Sequence, residues 1–295
     1  FNKIIFRSIS IFILGLILNA FPFIRQDWDW SSFRYLGVLQ RIALSYFLAA
    51  FIILRANIKS LVQICLAILI LYWIGLYSYG FITGLDPYAL STNLVLVIDR
   101  AILGEDHLYG GTGIQFDPEG LLSTLPAVVT VIIGFLVGTM IKTTKDYKDN
   151  CQRMMILGSL MIIVGWIWGF SFPINKQLWT SSYVLYTAGI GTITLASLIW
   201  LIDILEYKKW TYPLVVFGSN SIFIFALSGI WTKILLKTRF NFEGQEISGY
   251  SYLYKTIFLP FAGDINGSLL FAIFHVFAFW FILLWMYRKK LFIKL

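Results

Sequence analysis

Residues 116–142 read FDPEGLLSTLPAVVTVIIGFLVGTMIK, and nothing between Gly120 and Ile141 carries a charge. A run of about 20 apolar residues, rising 1.5 Å per residue as a helix, crosses the roughly 30 Å hydrocarbon layer of a bilayer. The same pattern recurs on both sides of it. Spans are predicted at 4–21, 36–54, 60–78, 120–141, 154–171, 180–202, 213–235 and 268–287, about eight in all. The 295 residues are 59% hydrophobic and 13% charged, about half the charged fraction of a soluble domain. The expected fold is therefore an all-α integral membrane protein, a polytopic helical bundle with the lipid bilayer as its solvent. Residues 1–295 read as a single transmembrane domain with two long loops, 79–119 and 236–267.

With eight spans, the N-terminal segment, the short loops at 55–59, 142–153 and 203–212 and the C-terminal tail share one face. Lys3, Arg7, Arg55, Lys59, Lys142, Lys145, Lys148, Arg153, Lys208, Lys209, Arg288, Lys289, Lys290 and Lys294 place fourteen positives there against Asp146, Asp149, Asp203 and Glu206. The opposite face keeps nine positives against eleven acids, and both long loops. The basic face is expected to be cytoplasmic, with both ends of the chain on it. The net charge of +8 is thus spent at span ends, which excludes nucleic acid as the partner. Cys65 and Cys151 lie far apart in sequence, with no metal-ligand spacing. No Gly-rich phosphate loop or paired-histidine helix is present, so neither a nucleotide triphosphatase nor a metal site has support. The first residue is Phe1, with no signal peptide before the first apolar run, and the chain reads as truncated at its N-terminus.

Several polar residues need a reason. Asp117, Pro118 and Glu119 suggest an N-cap, a first helical residue and a carboxylate on the positive end of the following helix. Glu119, at the lip of the span, also suits a partly desolvated base. Pro126 is expected to bend that helix. Arg41, preceded by Gln40, falls inside the second span, where it either snorkels or anchors an anionic group, Glu119 or Asp117. His107 lies in the long loop beside Asp99, Arg100, Glu105 and Asp106, as a general base or a solvated imidazole. His275, in the last span, sits among phenylalanines and reads as a packed neutral ring. Asn175, Lys176 and Trp179 occupy a short turn, where Trp179 suits an interfacial anchor. Asn220, inside the seventh span, must bond across helices or line a wet cavity.

These segments resemble the transmembrane glucosamine N-acetyltransferase family along nearly the whole chain. The strings that carry the resemblance are GVLQRIALSYF from Gly37, DRAILGEDHLYGG from Asp99, FDPEGLLSTLPA from Phe116, FPINKQLWTSSYV from Phe172, PLVVFGSN from Pro213 and YRKKLFIKL from Tyr287. The resemblance implies acetyl transfer from cytosolic acetyl-CoA, as co-substrate, to the amino group of a glucosamine-type sugar on the far side, with no metal. It implies catalytic roles for Glu119, Asp117 and His107, and substrate binding by Arg41, Gln40, Asn175, Lys176, Trp179 and Asn220. The family's proposed active-site histidine belongs to an N-terminal region that has no counterpart after Phe1, and neither His107 nor His275 matches its context. Two or three further spans upstream are expected on that ground, and the inner membrane if the source is bacterial. A sugar or amino-sugar permease is the alternative, and a homo-oligomer is left open.

Overall fold

The computed structural model describes residues 1–23, 29–111, 113–143 and 146–293, so Lys145 and Lys294 of the basic set lie outside the described residues. Its helices are α1 (Asn2–Ala20), α2 (Val38–Ile53), α3 (Ile58–Thr83), α4 (Leu94–Leu103), α5 (Thr124–Thr143), α6 (Tyr147–Trp168), α7 (Ser181–Ile199), α8 (Tyr212–Ser219), α9 (Ser221–Lys237), α10 (Gly249–Leu253) and α11 (Leu259–Arg288). A hairpin of β1 (Arg239–Phe242) and β2 (Gln245–Ser248) is the only sheet among the described residues.

The chain is an all-α polytopic membrane protein. Among the described residues six helices are long and apolar enough to cross a bilayer, or seven if one bent pair counts as a span. Two of the eight expected spans explain the difference. The helix at Val38–Ile53 has only 16 residues, about 24 Å of rise. The run around 213–235 breaks by 68° at Asn220, between α8 and α9. Large apolar side chains such as Phe81, Phe170 and Ile265 face outward, as lipid requires.

The chain forms two compact units, one from α1 to α7 and one from α8 to α11. In the first, Ala49, Leu61, Leu69, Val128, Ile132 and Val184 join α2, α3, α5 and α7 in one core. Helices α6 and α7 approach so closely that a Cβ on Gly189 would stand 2.6 Å from the Gly158 carbonyl oxygen. Without hydration to drive helices together in lipid, such small-residue contacts supply the packing. The long 79–119 loop is ordered around α4. Val95, Leu96, Leu108 and Phe116 pack with Tyr72, Leu76, Phe172 and Leu178, and the Tyr72 hydroxyl donates to the Leu178 carbonyl at 2.6 Å.

Two local expectations change. The helix after Asp117 begins only at Thr124, because Asp117 turns its carboxylate back onto the Glu119 amide at 2.9 Å and Asp99 takes the amides of Leu121 and Leu122. Asp117 is thus an Asx-turn residue and caps no helix. Pro126 consequently falls in the first turn of α5, where a missing N–H leaves no bond unmade and requires no bend.

In the second unit the hairpin turns at Glu243 and Gly244, both at positive φ (52° and 80°), which matches the twist of its strands. Helix α11 is interrupted at Gly263. His275 bonds through Nδ1 to the Phe271 carbonyl at 2.8 Å and packs against Phe271 and Phe274, a ring in an aromatic setting as expected. Asn220 uses its amide on the C-terminal segment, donating to the Leu291 carbonyl at 3.0 Å and accepting from the Ile293 amide at 2.8 Å.

Candidate active site

Three segments of the first unit, 33–35, 105–109 and 116–123, converge on a group of charges. Arg34 approaches Asp117 in the two-point geometry of a guanidinium on a carboxylate, Nε to Oδ2 at 2.8 Å and Nη2 to Oδ1 at 2.7 Å. The same Nη2 donates to Glu119 Oε2 at 2.7 Å. The guanidinium also lies 4.5 Å above the Tyr109 ring. The Asx-turn at Asp117 is what swings Glu119 onto the same cation. The Asp117 side chain is fully buried, whereas that of Glu119 keeps 19% of its surface exposed. Asp117 is therefore a fixed counter-charge, and Glu119 can meet a ligand.

Beside this pair, His107 Nδ1 lies 2.7 Å from the Phe33 carbonyl oxygen and Nε2 lies 3.3 Å from the Tyr35 hydroxyl. A carbonyl only accepts, so Nδ1 carries a proton, and in the neutral ring Nε2 is the basic nitrogen. The two rings stack at 4.2 Å. Segment 33–35 thus holds Arg34 against the two acids and orients the imidazole.

Below the turn, Asp99 on α4 is 1% exposed. Its Oδ1 accepts from the amides of Leu121 at 2.9 Å and Leu122 at 3.3 Å, while Oδ2 has no partner. Burial pushes the carboxyl up to about 6, against the lowering pull of the two amides. Gly120 has no side chain because Asp99 Oδ2 occupies the place a Cβ would take. On the far side of the same turn, Arg41 of α2 donates from Nη2 to the Gly120 carbonyl at 3.3 Å and to the Ser123 hydroxyl. Its guanidinium lies 4.9 Å from the Trp179 ring centre.

The 173–180 loop presents Trp179 at φ 51°, a strained value for a residue with a side chain. Thr180 Oγ1 donates to the Pro173 carbonyl at 2.8 Å, and Ser181 Oγ to the Leu69 carbonyl at 2.7 Å. Asn175 spends its side-chain oxygen on the amides of Gln177 at 2.8 Å and Leu178 at 3.4 Å. Lys176 is exposed. Gln40 is buried against Gly15 of α1, with its Nε2 unpartnered. Asp117 and Glu119 thus meet on Arg34, and His107 is held by the residues on either side of it, Phe33 and Tyr35. Arg41 and Trp179 join them through the Gly120–Ser123 turn. Asn175 serves its own loop, and Asn220 lies in the second unit. Among the described residues no three His, Cys, Asp or Glu side chains could hold a metal ion together.

Arg34, Tyr35 and the inward role of Asp99 are absent from the sequence-based set. One signal pointed to Arg34. Asp117 and Glu119 lie two positions apart with no cation near them in sequence, so a distant one had to come to them.

No family model matches the chain. Heparan-alpha-glucosaminide N-acetyltransferase of Mus musculus is 28% identical to it over 278 residues, covering 76% of this chain and 42% of the relative. That of Homo sapiens is 27% identical over 275 residues, covering 76% and 41%. The chain is similar to these transferases. The resemblance to their family is borne out over 76% of the chain, which spans less than half the length of the curated relatives it matches.

Proposed function

We propose that the first unit carries a site that moves an acetyl group from acetyl-CoA to the amino group of a glucosamine-type sugar. The observation that supports this most is Arg34 bridging a buried Asp117 and a partly open Glu119, with the oriented His107 alongside. The relatives' names describe acetyl transfer to the same kind of amine. In this reading Glu119 receives the acceptor ammonium as an ion pair, and His107 Nε2 takes its proton, directly or through Tyr35. The neutral amine nitrogen attacks the thioester carbonyl carbon, the carbon–sulfur bond breaks, and CoA leaves as a thiolate that picks up the released proton. Trp179, Gln40, Asn175 and Lys176 stand as substrate contacts around that centre. Acetyl-CoA meets the basic, cytoplasmic face, and the sugar approaches from the opposite one, where the long loops lie.

A sugar or amino-sugar permease is the second reading, favoured by the 68° break at Asn220 and the interruption at Gly263, since broken helices are the usual makers of transport sites. The test is release of free CoA thiol from acetyl-CoA by the purified protein, with and without glucosamine, beside Glu119→Gln. Glucosamine-dependent release that the variant loses supports the transferase. No release with any amino sugar moves the reading to the permease.

A further inference from the structure

Arg41 is 5% exposed, and among the described residues it makes no ion pair. Only its Nη2 is bonded, to the Gly120 carbonyl and Ser123 Oγ, and its Nε and Nη1 have no acceptor. Asp99, Asp117 and Glu119 act on it only from beyond ion-pair distance, and a buried cation whose charge is met only at a distance is a costly arrangement that a ligand would complete. Asp117 and Glu119 both bind Arg34, and Asp99 gives one oxygen to the Leu121 and Leu122 amides and leaves the other unpartnered, on the opposite side of the turn from the bonds Arg41 makes. The Trp179 ring, 4.9 Å away, supports the guanidinium without neutralising it. What remains unpartnered on Arg41 are the N–H donors of Nε and Nη1, on different edges of a guanidinium held in place by Nη2.

We propose that Arg41 receives an anionic oxygen of the reaction on Nε–H or on Nη1–H, the two nitrogens left without an acceptor. The inference rests on the acetyl-transfer reading above and assigns Arg41 a charge-receiving part in it. When the amine nitrogen bonds to the thioester carbon, the π electron pair moves onto the carbonyl oxygen. Its return expels the CoA thiolate, which takes the second proton of the nitrogen, the first being already on His107. A donor held in place before the reaction stabilises that charge with little reorganisation. The same donors also suit a fixed phosphate or carboxylate of a substrate, a second source of the same chemistry.

Steady-state kinetics of acetyl transfer to glucosamine by the full chain, with Arg41→Lys and Arg41→Gln, separate the sources. Arg41→Lys keeps the positive charge and loses the guanidinium N–H donors, so it decides the matter if Arg41→Gln does not fold. A developing oxyanion predicts that kcat falls about 100- to 1000-fold with both KM values little changed. A fixed anionic group predicts that KM for the substrate bearing it rises about tenfold or more, the loss of a charged hydrogen bond, with kcat little changed. Either pattern supports the assignment. Variants that match an active wild-type chain in both constants overturn it. A wild-type chain with no glucosamine-dependent CoA release fails the acetyl-transfer reading instead, so the two failures are distinguishable.

Discussion

Replacing Asp99 with asparagine isolates one buried charge and gives a prediction with a sign and a size. Asparagine keeps an oxygen for the Leu121 and Leu122 amides and removes only the ionisation. The Asp99 carboxyl stands at about 6 in the fold, against a reference of 3.8. A gap of about 2 units corresponds to about 3 kcal/mol, at about 1.4 kcal/mol per unit. Because the folded value is raised, the fold takes up the proton first as pH falls, and wild-type stability grows from about pH 7 down to the unfolded value near 4. Between pH 7.5 and 5 the single-site linkage relation gives a gain of about 1.4 kcal/mol for wild type relative to Asp99→Asn. Thermal unfolding of both proteins in the same detergent, at half-unit pH steps, measures that difference, since every other titrating group is common to the pair. Parallel pH profiles for the two proteins would refute the account of Asp99 as a desolvated carboxylate. A wild-type profile that falls relative to the variant as pH drops would reverse its sign.

Arg34→Gln leaves the buried Asp117 carboxylate unpaired and should cost about 3 kcal/mol, with part of the loss returned in Arg34→Gln/Asp117→Asn; unfolding of the single and double variants measures it. Gly120→Ala drives a methyl group into the Asp99 carboxylate and should lower both stability and CoA release by displacing the turn that carries Glu119, whereas Gly134→Ala, with nothing within 4 Å of its Cβ, serves as the tolerated control. Gly189→Ala separates α6 from α7 at the Gly158 carbonyl and should destabilise the first unit by about 1–3 kcal/mol. Tyr35→Phe removes the hydroxyl 3.3 Å from His107 Nε2 and should shift the pH profile of kcat, with little change in unfolding temperature.

The membrane class was legible because it rests on segment length and hydropathy, and the run from Gly120 to Ile141 carries both. The count of spans was less so. Pattern does not reveal that α2 begins only at Val38 and is left with 16 residues, or that the chain turns by 68° at Asn220. The start of α5 was misplaced because Asp117 and Pro118 resemble a helix start, and the competing claims of Glu119 and Asp99 on the local amides are tertiary facts. In the site, Glu119, Asp117 and His107 stood out by chemical type; the two acids meet on Arg34, and His107 is held by the neighbours of Arg34 in sequence, Phe33 and Tyr35. The two acids called for a cation, but spacing could not say that it would be Arg34, 83 positions from Asp117. For Asn175 the spacing alone reads as a plain loop, and its side-chain oxygen does close that loop on the Gln177 amide.

The central claim is transfer of acetyl across the bilayer by this chain, and vesicles test it directly. With the protein reconstituted, glucosamine trapped inside and acetyl-CoA supplied outside, the account predicts N-acetylglucosamine inside the vesicle, CoA thiol outside in equal amount, and loss of both in Glu119→Gln. Unmodified glucosamine escaping from the vesicles, with no CoA released, would contradict it.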